Sequence, residues 1–162
     1  MTERTVVVDL ALIEAAHLSD LTAQFVELLE GSPAVDPAIA RLVPDAYPSD
    51  AEAGTEFRRL TEGDLLGRRR SDADAMLATL RGERERLAPG DVADDEATDR
   101  VTLTLSLAQA MSWLRTLSAV RLVLATRLGI VDEDDHDLDD PRFGVYDWLG
   151  YRLDGLVQAL DA

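Results

Sequence analysis

The chain has 162 residues, enough for one domain that buries roughly two-thirds of its surface without covalent staples. It contains no cysteine, which excludes disulfides, thiolate nucleophiles, Cys-ligated zinc and thiol redox sensing together. Its 32 Asp and Glu face 16 basic residues for a formal net charge of −16, a field that repels phosphate backbones but welcomes a basic protein surface.

All the basic residues are Arg, and Lys and Asn are both missing. GC-rich codon usage is the plain explanation, with high-salt adaptation as the alternative. At the N-terminus, Asp9 and Glu14 interrupt what would have to be a signal core, so a cytoplasmic protein without a targeting segment is expected.

In chain order, Val6, Val8 and Leu10 alternate with Val7 and Asp9, the pattern of a short strand or extended arm. Apolar residues from Leu12 to Glu30 recur at helical spacing, and Gly31 with Pro33 marks a stop. A short helix fits Pro37 to Leu42, followed by a turn at Tyr47-Pro48 with Ser49 or Asp50 as the next cap. Phe57, Leu60 and Leu65 then point inward. Gly67 is a plausible break, and Ser71-x-x-Asp74 reads as a capping box opening a further helix. A single kinked helix is the alternative.

The Pro, Gly and Asp content of Ala88 to Asp99 predicts a mobile acidic loop. Val101, Leu103 and Leu105 alternate with Thr102 and Thr104, mirroring the first arm. The two arms are candidates for a two-stranded ribbon, which is marginal unless packed. Ser106-x-x-Gln109 is a second capping box, and Gly129 closes the helix it opens. That helix, within Leu107 to Ile130, is apolar on nearly every face but carries Arg115, Arg121 and Arg127. The arginines exclude a membrane span, so the segment reads as the buried centre of a bundle. A polar loop from Val131 to Arg142 leads to a last helix with Val145, Leu149, Leu153, Leu156 and Leu160 on one stripe.

Tests for chemistry return little. His17 and His136 are far apart, and neither a nucleophile elbow nor a phosphate-cradling glycine loop is present. No catalytic residue and no cofactor is assigned. The run from Asp132 to Asp140 holds seven carboxylates. Counted from Asp135, the calcium-loop pattern fails, with Asp140 where Gly is needed and Tyr146 where Glu is needed. No metal site is assigned.

Half the basic charge lies at Arg58, Arg59, Arg68, Arg69, Arg70, Arg81, Arg84 and Arg86. Helix, glycine turn and second helix sketch a helix-turn-helix. Asp72 and Asp74 would then sit where base contacts are made. A salt-laced outer face is the plainer reading, and a patch for an acidic partner segment is the sharper one. Arg121 and Arg127 need carboxylates or carbonyls if buried, and Glu14, Glu27, Glu56 and Glu62 are their candidate partners.

Several phrases share order and spacing with one family: Pro44-Asp45-Ala46-Tyr47, Asp50-Ala51-Glu52-Ala53, Glu56-Phe57-Arg58-Arg59-Leu60-Thr61-Glu62, Trp113-Leu114, Arg121-Leu122, Thr126-Arg127-Leu128-Gly129-Ile130 and Tyr146-Asp147-Trp148-Leu149. Through them the chain resembles an actinobacterial family of unknown function, some members of which are named AosR-like oxidative-stress regulators. The resemblance implies a small, mostly helical cytoplasmic protein. In the regulator branch it implies control of transcription through an alternative sigma factor, with cysteines as the sensor. Without cysteine, such a switch cannot operate here.

The expected fold is mainly α: a single helical bundle over 1–162 around the central apolar helix, with at most one short two-stranded pair and acidic loops at 88–99 and 131–142. The expected function is non-enzymatic regulation through a protein partner, a sigma factor by the resemblance. The candidate contacts are the Arg58–Arg86 segment or exposed aromatics among Tyr146, Trp148 and Tyr151. A direct DNA-binding regulator and a ligand or cation sensor are the alternatives. Direct nucleic-acid binding is disfavoured and no membrane is involved. A homodimer would cover the C-terminal aromatics and the arm.

Overall fold

A computed structural model describes residues 4–31, 36–42, 51–130 and 139–161, with backbone alone for 40 and 51–63. Each half of the chain begins with a strand that runs directly into a long helix. Strand β1 (Thr5–Ala11) feeds α1 (Leu12–Glu30), and β2 (Arg100–Ser106) feeds α4 (Leu107–Leu128). Between them lie α2 (Pro37–Ala40) and α3 (Ala51–Arg81), and α5 (Gly144–Asp161) closes the chain. The fold is mainly α, as the patterning predicts.

The two arms do pair. β1 and β2 run antiparallel with Val8 opposite Leu103. Alternation sends Val6, Leu10 and Leu105 into the core and leaves Val7 outside, so helix packing supports a ribbon too small to stand alone.

Helix α4 is the hub, touching both strands and α1, α2, α3 and α5. Its start is the expected capping box: Ser106 Oγ accepts from the Gln109 N–H at 3.1 Å, and Gln109 Oε1 accepts from the Ser106 N–H at 2.8 Å. Its end is Gly129 at φ 74°, the left-handed conformation in which a Cβ is strained. Ala110, Trp113, Leu117, Ala119 and Val120 are buried along it. The Trp113 indole N–H donates to Thr79 Oγ1 at 2.7 Å, fixing α4 against α3.

Helix α3 corrects two expectations. It runs unbroken through Gly67, and Ser71 lies in mid-helix, where no capping box opens. Leu66, Ala73, Met76, Leu77 and Leu80 form one buried stripe across the glycine. Packing of that stripe outweighs the roughly 1 kcal/mol that Gly costs a helix. Asp72 is drawn elsewhere: it accepts from Ser112 Oγ on α4 at 3.0 Å. Without a turn at Gly67, the helix-turn-helix sketch falls.

The loop at 88–99 is not the loose segment its composition suggests. Pro89–Asp91 forms a 3-10 turn, and Leu87 before it is buried. The carbonyls of Ala97 and Asp99 accept from the Ile13 and Leu12 N–H groups at 3.0 and 2.8 Å. They satisfy two donors that the first turn of α1 leaves orphaned. The expected turn at Tyr47-Pro48 and the run 131–138 lie outside the described residues, as do the side chains of Arg58, Arg59, Glu56 and Glu62.

Candidate functional site

The arginine-rich face is neutralised in part within the chain. Arg70 pairs with Glu30 and, at 3.8 Å, with Asp74. Arg86 reaches Asp91 at 3.6 Å, and Arg115 reaches Asp72 at 3.5 Å. Arg69 donates to the Arg115 carbonyl at 3.5 Å, while Arg68 points into solvent. Arg70, Arg86 and Arg115 thus carry ion pairs on this outer face.

The expected buried ion pair at Arg127 is a surface pair, and Arg121 has contacts of its own with α5. Arg127 grips Asp36 through two bonds, of 3.1 and 2.7 Å. Its side chain is 45% exposed, so the pair belongs to the surface. Asp36 also caps α2 by accepting from the Ala38 N–H at 2.9 Å. The Arg127 hydrogen bonds hold the Asp36 carboxyl below its ordinary range, against some desolvation. Arg121 lies half-buried between α4 and α5. Its guanidinium stacks 4.0 Å from the Tyr146 ring centroid, and its Nε donates to the Tyr146 carbonyl at 3.3 Å. Gly150 makes room for it, since a Cβ there would come within 2.8 Å of Arg121 Nη2.

The expected partner Glu14 serves α5 instead. Glu14 Oε2 accepts from the Trp148 indole at 3.0 Å and from Arg152 Nε at 3.2 Å, and it meets Arg152 Nη2 as well. Glu14 Oε1 accepts from the Ala11 N–H at 3.2 Å. Burial pushes the Glu14 carboxyl up, but the bonds from Arg152, Ala11 and Trp148 and the Arg152 charge outweigh it. The carboxyl is held below its ordinary value. Arg152 was not singled out from sequence. The available signal was its i, i+4 spacing from Trp148, which puts indole and guanidinium on one helix face.

Of the three aromatics considered for contact, Tyr146 is only 5% exposed and Trp148 is half-buried on Glu14. Tyr146 is a core residue, which corrects its place among the exposed candidates. Tyr151 differs. It is 71% exposed, and it stands at the rim of a groove of about 450 Å³ between β1 and α5. Leu18, Trp113 and Leu117 form the groove's apolar floor, and Val6 to Leu10 form one wall.

Arg152 also marks how β1 meets this groove. Its Nη1 donates to the Asp9 carbonyl at 3.2 Å, so that carbonyl points away from β2. Antiparallel ladders alternate, with successive residues directing both main-chain groups to one side and then the other. The N–H and C=O groups of Thr5, Val7, Asp9 and Ala11 therefore face outward. The groove thus combines an apolar floor, a wall of main-chain donors and acceptors, and an aromatic rim. It can hold an extended chain.

A family model described as a Domain of unknown function (DUF2017) matches residues 1–160. The chain belongs to this family. Neither a curated protein nor a solved structure matches it. Among the described residues, no helix is long and apolar enough to cross a membrane, and no group of three or more His, Asp or Glu gathers as a metal site.

Proposed function

We propose that the chain is a non-enzymatic regulatory protein of the cytoplasm that acts by binding a protein partner with a basic face. A sigma factor is the partner that the resemblance implies, in stress-responsive transcription. The supporting observation is how the arginines are used. Among the described residues, Arg70, Arg86, Arg100, Arg115, Arg127, Arg142 and Arg152 each bind a carboxylate of the same chain. With so much positive charge engaged internally and a net charge of −16, the outward field is that of the surplus acids. Proteins that bind nucleic acid carry basic faces, and an acidic surface of this strength is matched to them.

The reading is tested by calorimetric titration of the purified chain with a purified sigma factor and, separately, with random-sequence duplex DNA. Saturable binding of the sigma factor that weakens with rising salt is expected, with no binding of duplex at low ionic strength. Duplex binding would overturn the reading in favour of a DNA-binding regulator. The cation-sensing alternative centres on the acidic run at 132–140, of which 132–138 lie outside the described residues. A thermal shift on adding calcium or magnesium would favour it.

A further inference from the structure

The outward edge of β1 is sealed at one end and open at the other. At the sealed end, Arg152 takes the Asp9 carbonyl and Glu14 takes the Ala11 N–H. At the open end, Arg4 reaches across to the Leu160 carbonyl of α5, and no side chain among the described residues bonds the main-chain groups of Thr5 or Val7. Exposed strand edges are ordinarily blunted by charge, proline or cover, because they template pairing. Here the cover stops halfway, beside a groove deep enough to take side chains.

Charge selects what would fit. Arg152 is spent on Glu14 and Asp9, and the Asp9 carboxylate is spent on Arg100 and Thr102 at 3.1 and 2.7 Å. Asp154 lines the same groove. It is exposed, and no described residue pairs with it. Arg4, beside Thr5, is engaged with the Leu160 carbonyl at the end of α5, which leaves Asp154 as the open charge among the described lining residues, on a chain that is itself strongly acidic. A second copy of this chain would bring like charge against like, and it is disfavoured as the occupant.

We propose that an extended partner segment alternating apolar and basic residues adds to the Thr5–Val7 edge of β1 as a third strand, its apolar side chains entering the groove. This rests on the reading that the chain works by protein contact, and it supplies the mode. Main-chain bonds to Val7 and Thr5 give affinity, and alternate side chains give selectivity. Inward side chains meet the floor of Leu18, Trp113 and Leu117. A basic outward residue meets Asp154, and Tyr151 offers its ring at the rim to an apolar stem or a cation.

The test uses three capped seven-residue peptides against the full chain: one alternating Lys and Val, one alternating Glu and Val, and a Lys–Val peptide N-methylated along its bonding edge. Binding is read by calorimetry, and the site by amide NMR shifts. The expectation is saturable binding of the Lys–Val peptide, with shifts at Thr5, Val7 and Tyr151. The Glu–Val and N-methylated peptides should each bind at least about tenfold more weakly. Asp154→Arg should weaken the Lys–Val peptide about fivefold or more and leave the folded spectrum intact.

Equal binding of the N-methylated peptide, or shifts confined to another face, would overturn the proposal. So would a concentration-dependent dimer that Val7→Pro dissociates, because the edge would then belong to a second copy. If the chain binds a sigma factor but no peptide, this inference fails and the partner reading stands. If it binds neither, both fail.

Discussion

Gly150 of α5 lies directly beneath the Arg121 guanidinium of α4, with no room between them for a methyl group. The two helices are held in register by a stacked cation and a carbonyl bond. Gly150→Ala should therefore act with opposite signs in two backgrounds. In the natural chain it displaces Arg121 from Tyr146, and the lost stacking and hydrogen bond cancel or exceed the helix-propensity gain. In an Arg121→Met background the same change should stabilise by about 1 kcal/mol. Urea unfolding of the four-member cycle checks this, and equal effects in both backgrounds would refute the interlock.

Glu14 gathers bonds from α5 and from the end of β1. Glu14→Gln should cost about 1–3 kcal/mol near neutral pH, because Arg152 and Trp148 lose a shared charged acceptor. The Glu14 carboxyl lies below its ordinary 4.5 when folded. Its contribution is thus full above about pH 4.5 and disappears as pH falls through the depressed folded value. The stability gap between natural and variant chains should narrow over that acid range in parallel denaturation curves. A gap that widens instead would contradict the assignment.

Nothing lies within 4 Å of a Cβ built on Gly67. Because α3 is continuous there, Gly67→Ala should stabilise the protein by about 1 kcal/mol. If the chain turned at that glycine, the substitution would be neutral or harmful. Thermal unfolding distinguishes the two.

Thr79 gives the Trp113 indole its acceptor at 2.7 Å. Thr79→Val keeps the shape and removes the oxygen, leaving a buried donor unmet. A loss of about 1–3 kcal/mol is expected in urea, together with a shifted Trp113 indole NMR resonance. An unmoved resonance would show that the bond does not form.

What the sequence made legible was mostly local chemistry. Alternation at Val6–Leu10 and Val101–Leu105 marks strands because period two exposes one face, whereas their antiparallel orientation is set by how the helices dock. Ser106, Gln109 and Gly129 bound α4 because caps act within one turn. The break at Gly67 misled for the opposite reason: Ser71 and Asp74 carry a cap signal that the stripe from Leu66 to Leu80 overrides through contacts made far along the chain. The partners of Arg121 and Arg127 were equally hidden. Which acid a guanidinium meets depends on helix placement: Arg127 meets Asp36, and the Tyr146 ring and carbonyl are contacts of Arg121 that no spacing announced. Val7 could be read as outward-facing, but only the docking of α5 turns that edge into one wall of a groove.

The pairing of Val8 with Leu103 has a consequence for biogenesis. β1 leaves the ribosome before β2, and the strand that completes it is made about a hundred residues later. At ~5–20 residues per second, that is a delay of roughly 5–20 seconds. Through that interval Val6, Val8 and Leu10 have neither ladder nor core, and the nascent arm is open to capture by any chaperone with a taste for extended apolar chain.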